Sequence, residues 1–488
     1  MQDSKSIAPP ALRGNLLGLL TAAFYILFTL LPDSNSLMLS WPWVFLWQVG
    51  LICPVLWLLG MLWQRQLRWL GHRLDWLVGI LIVGLVVSAG LATFPRQAQW
   101  HSWTVFCTLA TLYAVSSWLS TRDRRVWLLT MQGYLNLAFI AISLLLWTGQ
   151  TLLPELSRLQ EFQRFGISLP FDFSNIELRN WAPIGHQNYV AGYLTLALPL
   201  LVALGMIHRG RQRWLWGTGI GLGLIALYTT SSRSGWLAIA VLAVITSALM
   251  LWRSTLPKRW LGMISVVGVV GLGLIILSNN RLRSLLSGQS GGESAFRIIT
   301  MTTGWQMGWS DPLSGIGLGG VPLLYQKFRP GWAGREAELV YQLHSTPAQL
   351  WAELGIWSVL VGVGAIAVLS YLGIGWWQWR QRESRVRGRS LVEEIGSGED
   401  EGDEEAGEEG EVANLSQLLT GDLSSDHGLI GAIYAGFLAY GIVSLTDYQL
   451  DNLAISGTLM IYLAVLTSEF RSPPSPLSPS SCLLYTSP

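Results

Sequence analysis

Runs of about 20 consecutive apolar residues recur along most of the chain, and this pattern limits its fold more than any other. An α-helix of that length crosses the roughly 30 Å hydrocarbon core of a bilayer. Charged residues make up only 12% of the 488 residues, about half the fraction usual in soluble domains. The sequence therefore predicts an all-α, polytopic integral membrane protein. A transmembrane β-barrel would show alternating segments of about ten residues instead.

We predict about twelve transmembrane helices, and the loops between them differ sharply in basic residues. The predicted spans lie near 13–31, 43–63, 74–94, 101–119, 126–148, 185–207, 214–230, 235–252, 260–278, 347–372, 428–446 and 453–469. Short loops near 65–73, 122–125, 209–213 and 253–259 each carry three Arg or Lys residues, whereas the alternate short loops carry one Arg or none. Because basic residues concentrate in cytoplasmic loops, we expect both chain termini to be cytoplasmic.

This topology divides the chain into five segments. A cytoplasmic N-terminus, 1–12, precedes a core of ten helices, 13–372, and the last two helices occupy 428–469 before a disordered tail, 470–488. The core includes two outer loops, 149–184 and 279–346, and the larger one separates helices 9 and 10.

The cytoplasmic loop 373–427 lies between the core and the last two helices. It carries the acidic, Gly-rich run 393–411, which has too few apolar residues to fold, so we predict that the loop is disordered. It is interpreted as a solvated linker with a basic anchor to the membrane, or alternatively as a partner-binding segment.

The stretch VYQLHSTPAQLWAELGIW, 340–357, places an ionisable ring at the start of an apolar helix. Thr346 is the predicted N-cap, with Pro347 in the first turn and Gln349 completing a capping box. The positive end of the helix dipole disfavours a charged imidazole, so His344 is suited to act as a general base. The alternative is an interfacial His that only hydrogen-bonds the loop.

Arginines on the predicted outer side favour the interpretation of His344 as a general base. Arg233 lies in YTTSSRSGWLA, where three serines could orient its guanidinium, and Arg297 lies in the large outer loop. Arg binds phosphate groups in a bidentate manner and keeps its charge. We therefore predict an outer site for an anionic lipid headgroup, such as a diphosphate. Arg281 and Arg283 directly follow a span end and fit ordinary lipid contacts.

Three further residues are candidates for the same site. His186 and Asn188, in GHQNYVAGYL, start another span and either shape the site or cap the helix. Glu353 lies more than two turns beyond His344, where an acid is costly unless it is functional or paired; it is expected to accept from the outer-loop backbone or to neutralise a partner. The sequence GIGLGG, 315–320, is interpreted as a tight turn rather than a nucleotide site, because it follows no strand.

The sequence contains none of the common spacings for metal ligands or nucleotide phosphates. The three cysteines form no CxxC pair. We therefore expect no cofactor, no metal and no nucleic-acid partner.

The order of motifs resembles the O-antigen ligase and O-antigen polymerase superfamily. The motifs are HQNYVAGYL, SSRSGWLA, PLSGIGLGG and LHSTPAQLWAELGI, and the likeness is strongest over about 180–370. It implies a metal-independent glycosyltransferase of lipopolysaccharide or polysaccharide biosynthesis, in the inner membrane. The implied donor is a glycan on undecaprenyl diphosphate, and the acceptor is a lipid or saccharide hydroxyl. In that family's pattern His344 matches the base, and Arg233 and Arg297 match donor-binding arginines.

The resemblance also leaves two other functions open. The branch that the chain resembles is cyanobacterial and contains proteins named for inorganic carbon accumulation and described as bicarbonate transporters. A transporter is expected to have polar or broken helices near the bilayer midplane. Glu353 is the residue that would serve its solute pathway. A membrane scaffold acting through the acidic loop leaves the outer His and Arg residues unexplained. The transferase is the favoured hypothesis.

Overall fold

The structure is a computed structural model that describes residues 16–33, 40–168, 178–253, 273, 291–335, 339–396 and 425–471. The predicted ninth span, 260–278, lies outside the described residues except for one position. Arg281, Arg283 and the part of the acidic run beyond 396 also lie outside them.

The described residues form α-helices and no β-strand, which confirms the predicted all-α class. In chain order the helices are α1 (Leu16–Leu30), α2 (Trp43–Trp63), α3 (Leu74–Leu91), α4 (Pro95–Trp118), α5 (Arg122–Trp147), α6 (Leu153–Arg164), α7 (Gln187–Ile207), α8 (Arg211–Thr230), α9 (Arg233–Arg253), α10 (Gly291–Ser310), α11 (Val321–Phe328), α12 (Thr346–Leu354), α13 (Ile356–Gly396), α14 (Ser425–Thr446) and α15 (Leu453–Arg471). A π-helical turn, Thr148–Leu152, joins α5 to α6, and a 3-10 turn covers Gly331–Ala333.

Seven helical segments in the described residues are long and apolar enough to cross a membrane. They are Trp43–Trp63, Leu74–Leu91, Arg122–Arg164, Gln187–Ile207, Ile356–Gln378, Gly428–Thr446 and Leu453–Arg471. Leu16–Leu30 and Arg233–Leu249 are shorter apolar helices. The protein is therefore a multi-pass membrane protein. A total of twelve spans and cytoplasmic termini stay predictions.

Helix α7 is the centre of the main core. It is apolar on all sides, as expected of a helix surrounded by others, and Val190, Tyr193, Leu194 and Leu201 are all fully buried. Helices α8 and α14 pack most extensively against it. The N-terminus of α7 thereby lies beside the end of α14 and the start of α9, and this junction forms the candidate site.

The predicted tenth span, 347–372, is two helices rather than one. Gly355 has a left-handed φ of +58° and separates α12 from α13. The outer loop fills the break, because the Ile356 N–H donates to the Pro312 carbonyl at 2.8 Å and the Ile316 N–H donates to the Ala352 carbonyl at 2.9 Å. A Cβ on Gly355 would lie 2.4 Å from that Pro312 oxygen. The break therefore anchors the outer loop to the membrane helices.

Helix α13 also differs from the sequence prediction at its other end. It continues to Gly396, so residues 373–396 of the predicted disordered loop are helical. The segment is rich in Trp, Gln, Arg and Glu, contains no proline, and its residues mostly favour or tolerate helix. The candidate span within α13 ends at Gln378, so the helix extends beyond the apolar part.

Candidate functional site

His344 and Asp447 form the centre of the candidate site. The His344 Nδ1 atom lies 3.0 Å from Asp447 Oδ1. The His344 side chain is 30% exposed, whereas that of Asp447 is only 4% exposed. His344 comes from the end of the large outer loop, and Asp447 directly follows α14. Two segments that are 103 residues apart in the chain therefore meet here.

The charge state of Asp447 determines which tautomer His344 adopts. Burial by itself would raise the pKa of Asp447, but the hydrogen bond and charge of His344, with smaller contributions from His186 and Gln449, outweigh it and hold that pKa below its ordinary value. An ionised carboxylate only accepts hydrogen bonds. Nδ1 of His344 therefore donates, and Nε2 is the ring nitrogen that remains to take a proton from another group.

The start of α12 holds His344 in place, but the predicted capping residue is wrong by one position. The N-cap is Ser345, whose Oγ accepts from the Ala348 N–H at 3.5 Å. The Thr346 hydroxyl instead donates to the Asp447 carbonyl at 2.8 Å, and the side-chain oxygen of Gln349 accepts from the Leu343 N–H at 2.7 Å. Thr346 is not the N-cap because its hydroxyl is bonded to the loop after α14. The spacing of residues in the sequence does not show this contact.

A continuous series of hydrogen bonds leads from His344 to the start of α9. Gln449 Nε2 donates to Asp447 Oδ2 at 3.1 Å and to the Asn188 carbonyl at 2.7 Å. The Asn188 side-chain oxygen accepts from the Ser232 hydroxyl at 3.2 Å. Ser232 precedes Arg233 in the chain. Four hydrogen bonds therefore connect the imidazole to the residue beside the predicted arginine.

Arg233 is the first residue of α9 and is 8% exposed. Its neighbours Ser231, Ser232 and Ser234 are also buried, and the hydroxyls of Ser232 and Ser234 lie 3.3 Å apart. Ser231 has a φ of +52° and ends α8. The tight turn between α8 and α9 thus places a buried cation at a helix N-terminus, where an anion is favoured.

Arg297 lies on α10. Its neighbour Phe296 packs edge-on against the His344 ring, with 5.5 Å between ring centroids. Arg297 itself is half-buried. Arg297 therefore follows a residue that contacts His344, whereas Arg233 is connected to His344 through the series of hydrogen bonds that ends at Ser232.

His186 and Asn188 take the predicted capping role, and a role for them in binding a substrate stays a prediction. His186 is the N-cap of α7, and its Nδ1 accepts from the Asn188 N–H at 3.2 Å. The same His186 acts electrostatically on Asp447, and Asn188 belongs to the hydrogen-bond series. The helix cap and the site share these residues.

Glu353 supports the outer loop behind the site. Its Oε1 accepts from the Gly319 N–H at 2.9 Å and from the Gln349 side chain at 2.8 Å. The predicted alternative of a backbone donor is therefore the observed one. Glu353 lies before the candidate span, and burial raises the pKa of its carboxyl to about 8 despite these hydrogen bonds.

The sequence GIGLGG forms the predicted turn. Gly315, Gly317 and Gly319 all have positive φ values, of +63°, +94° and +72°. A Cβ on Gly315 would lie 2.3 Å from the Glu353 backbone, and one on Gly319 would lie 2.3 Å from His101. The turn requires glycine both for its dihedral angles and for its close contacts.

Sequence reasoning missed the short loop 447–452. Besides Asp447 and Gln449, this loop provides Asp451, which accepts hydrogen bonds from Tyr189 at 3.0 Å and from Gln342. The signal was two aspartates in a six-residue loop between apolar helices, without any Lys or Arg. Their partners are more than 100 residues distant, so sequence alone did not connect them to the site.

Comparison with known proteins adds one finding. Residues 218–363 match the family model described as O-antigen ligase. No curated protein matches the chain. The match confirms the predicted resemblance to the O-antigen ligase and polymerase superfamily over this segment, and it supports a membrane role of the glycosyltransferase type. The matched segment contains Arg233, Arg297, His344 and Glu353, whereas Asp447 and residues 186–188 lie outside it.

Proposed function

We propose that the protein transfers a glycan from undecaprenyl diphosphate to an acceptor hydroxyl at the outer face of the inner membrane. The observation that carries the proposal is the His344–Asp447 pair, since one member lies in the O-antigen ligase domain and the other orients it. A carboxylate that fixes the imidazole tautomer is a recurrent arrangement in general-base catalysis.

The proposed reaction is a displacement at the anomeric carbon. Nε2 of His344 takes the proton of the acceptor hydroxyl while that oxygen forms a bond to the anomeric carbon. The bond from this carbon to the diphosphate oxygen breaks, and undecaprenyl diphosphate leaves with the electron pair. Asp447 keeps the hydrogen bond to Nδ1 throughout and stabilises the imidazolium that forms.

Arg233 and Arg297 are proposed to stabilise the leaving diphosphate. Arg233 combines its own charge with the N-terminal end of α9, and both favour an anion. Charge that develops on the leaving group is stabilised most by donors that are already in position. In this proposal no metal or cofactor takes part, and the partners are the lipid-linked donor, a lipid or saccharide acceptor and membrane lipids.

The proposed domain organisation follows from the same pair. The core of 13–372 supplies His344, and the last two helices, 428–469, bracket the loop that supplies Asp447. We therefore propose that these two segments form one catalytic unit although the cytoplasmic loop separates them in sequence. The solute-transporter alternative gains no support from the described residues, because Glu353 has a structural role in the outer loop.

The proposal is tested by the surface-glycan profile of a deletion strain, complemented at matched expression. Wild type is expected to restore a lipid-attached or high-mass glycan, and His344→Gln is expected not to. His72→Gln is the matched control, because His72 is an exposed His bonded to the Phe470 carbonyl, near the end of α15. A profile that deletion leaves unchanged, or that His344→Gln restores fully, would contradict the proposal.

A further inference from the structure

A second concave region lies far from the candidate site. A cleft of about 860 Å³ opens between the ends of α2 and α4 and the starts of α1 and α5. Helix α15 has 19 residues, so its two ends are about 28 Å apart. Its start borders the loop of Asp447, whereas Arg471 at its end donates to Ser116 of α4 at 2.7 Å. The cleft is therefore at the opposite end of the helix bundle.

Three arginines from two segments line this cleft. Arg65 and Arg68 lie in the connection after α2, and Arg124 lies in the first turn of α5. No acidic side chain lines the cleft, and in the described part of the chain these three arginines form no ion pair. The next residue along, Arg125, is instead paired with Glu469 at 2.8 Å. The cleft thus concentrates positive charge among its lining residues.

One of the three cationic groups, that of Arg124, is held in position by contacts within the protein. The guanidinium of Arg124 lies over the Trp118 ring, 5.4 Å from its centroid, and donates to the Trp118 carbonyl at 2.9 Å. The backbone N–H of Arg68 donates to the Ser117 hydroxyl at 3.0 Å. These contacts fix the connection after α2 against α4. A ligand therefore meets one guanidinium that is already in position, which lowers the entropy cost of binding it.

The remaining wall of the cleft has a polar part, with Gln64, Gln66, Ser117 and Ser120, and an apolar part. Leu16, Leu17, Trp57 and Met61 line it beside the arginines. Apolar lining residues contribute nothing to the binding of a small soluble anion. A phospholipid can contact them with its hydrocarbon while its phosphate contacts the arginines. Arg binds phosphate oxygens well, and Trp is common at the headgroup level of membranes.

We propose that this cleft is a binding site for one anionic phospholipid, on the side that the arginine distribution predicts to be cytoplasmic. Arg65, Arg68 and Arg124 hold its phosphate, and Trp57 and Met61 contact the hydrocarbon next to its headgroup. The site does not depend on the glycan chemistry, because no residue of the His344 network lines it.

Native mass spectrometry of the full-length protein, released from nanodiscs of equal parts phosphatidylglycerol and phosphatidylcholine, tests the proposal. Wild type is expected to retain one phosphatidylglycerol. The triple variant Arg65→Gln/Arg68→Gln/Arg124→Gln is expected to retain at least about tenfold less phosphatidylglycerol, since it removes the charge-assisted hydrogen bonds to the phosphate. The matched control is Arg209→Gln/Arg211→Gln/Arg213→Gln, which removes the same charge from exposed arginines outside the cleft.

Two results of the mass spectrometry would overturn the proposal. Equal loss in both triple variants would mean that retention reflects net charge alone, and equal retention in both would mean that the cleft is not the site. A parallel arm measures thermal stability with dioctanoyl phosphatidylglycerol or glycerol 1-phosphate. Only the lipid is expected to raise the Tm of wild type, and an equal rise with glycerol 1-phosphate would indicate a soluble-anion site instead. Unchanged Tm of the ligand-free cleft variant shows that it folds.

Discussion

The polar groups near the two ends of helix α15 differ in whether they have partners within the protein. At its start, Asp447 is buried, ionised and hydrogen-bonded to His344, Gln449 and their neighbours. At its end, Arg65, Arg68 and Arg124 surround an open cleft without a carboxylate partner in the described residues. A buried polar group without a partner costs free energy, whereas an arginine at an open cleft keeps contact with solvent or lipid headgroups.

This difference indicates two kinds of interaction with ligands. The first region has its donors and acceptors directed at one another, so it fixes the orientation of a reactive ring. The second region leaves its charges available, so it fits an anion supplied by the membrane. Paired variants separate the two regions, and the greatest loss is expected in the first.

Replacing the carboxylate should nearly abolish glycan transfer. Asp447→Asn presents an amide to Nδ1 of His344 and no longer stabilises the imidazolium, so the rate of transfer should fall about 10²- to 10⁴-fold. Asp451→Asn is the matched control, because it lies in the same loop but contacts Tyr189 and Gln342. Equal losses in the two variants would argue against a special role for Asp447.

Adding one methyl group to the outer turn should destabilise the region of the site. Gly315→Ala combines a left-handed φ with a 2.3 Å approach to the Glu353 backbone, which should lower stability by about 3 kcal/mol. Gly166→Ala, just after α6, has a φ of +75° but open space around it, so about 1 kcal/mol is expected. Thermal unfolding in detergent compares the two, and similar Tm losses would contradict the close packing of the turn.

At the other end of α15, the ion pair of the largely buried Arg125 should contribute more to stability than the ion pair of the more exposed Arg158. Glu469→Gln leaves the largely buried Arg125 without a carboxylate, and a loss of about 2 kcal/mol is expected. Glu155→Gln is the control, since its partner Arg158 is 47% exposed, and the expected loss is below about 1 kcal/mol. If the control variant loses as much stability in thermal unfolding, the contrast between the arginines is wrong.

The smallest effect is expected for Glu353, whose replacement should change how the stability of the protein depends on pH. Its pKa is raised from 4.5 to about 8 in the folded protein, so between these values the folded state binds the extra proton. Stability should therefore fall as the pH rises from about 4.5 to about 8, and then level off. Glu353→Gln should flatten the fall in Tm over this range, whereas Glu161→Gln, at an exposed acid, should not. Parallel Tm curves for wild type and Glu353→Gln would contradict the buried, protonated carboxyl.

Hydrophobic run length predicted the helices well, because each apolar run needs only local information to form a helix. The glycine turn at 315–320 was also predictable, since closely spaced glycines outside a strand or helix favour a turn with positive φ values. The break at Gly355 was not, because it depends on the Pro312 carbonyl, which belongs to a distant part of the outer loop.

The candidate site could be predicted only in part. His344, Arg233 and Asn188 were found because a polar residue at the end of an apolar helix is conspicuous. Asp447 was missed, because its importance comes from a contact across 103 residues. The N-cap of α12 was predicted wrongly for the same reason. Ser345 is the N-cap instead of Thr346, because the Thr346 hydroxyl donates to the carbonyl of the distant Asp447.

The most direct test of the central claim is the initial rate of glycan transfer by the purified protein in liposomes, with a polyprenyl-diphosphate-linked glycan as donor. Wild type and His72→Gln should transfer at similar rates, and His344→Gln should be slower by about 10²-fold or more while the protein remains folded. Transfer by His344→Gln at the wild-type rate would contradict the assignment of His344 as the base.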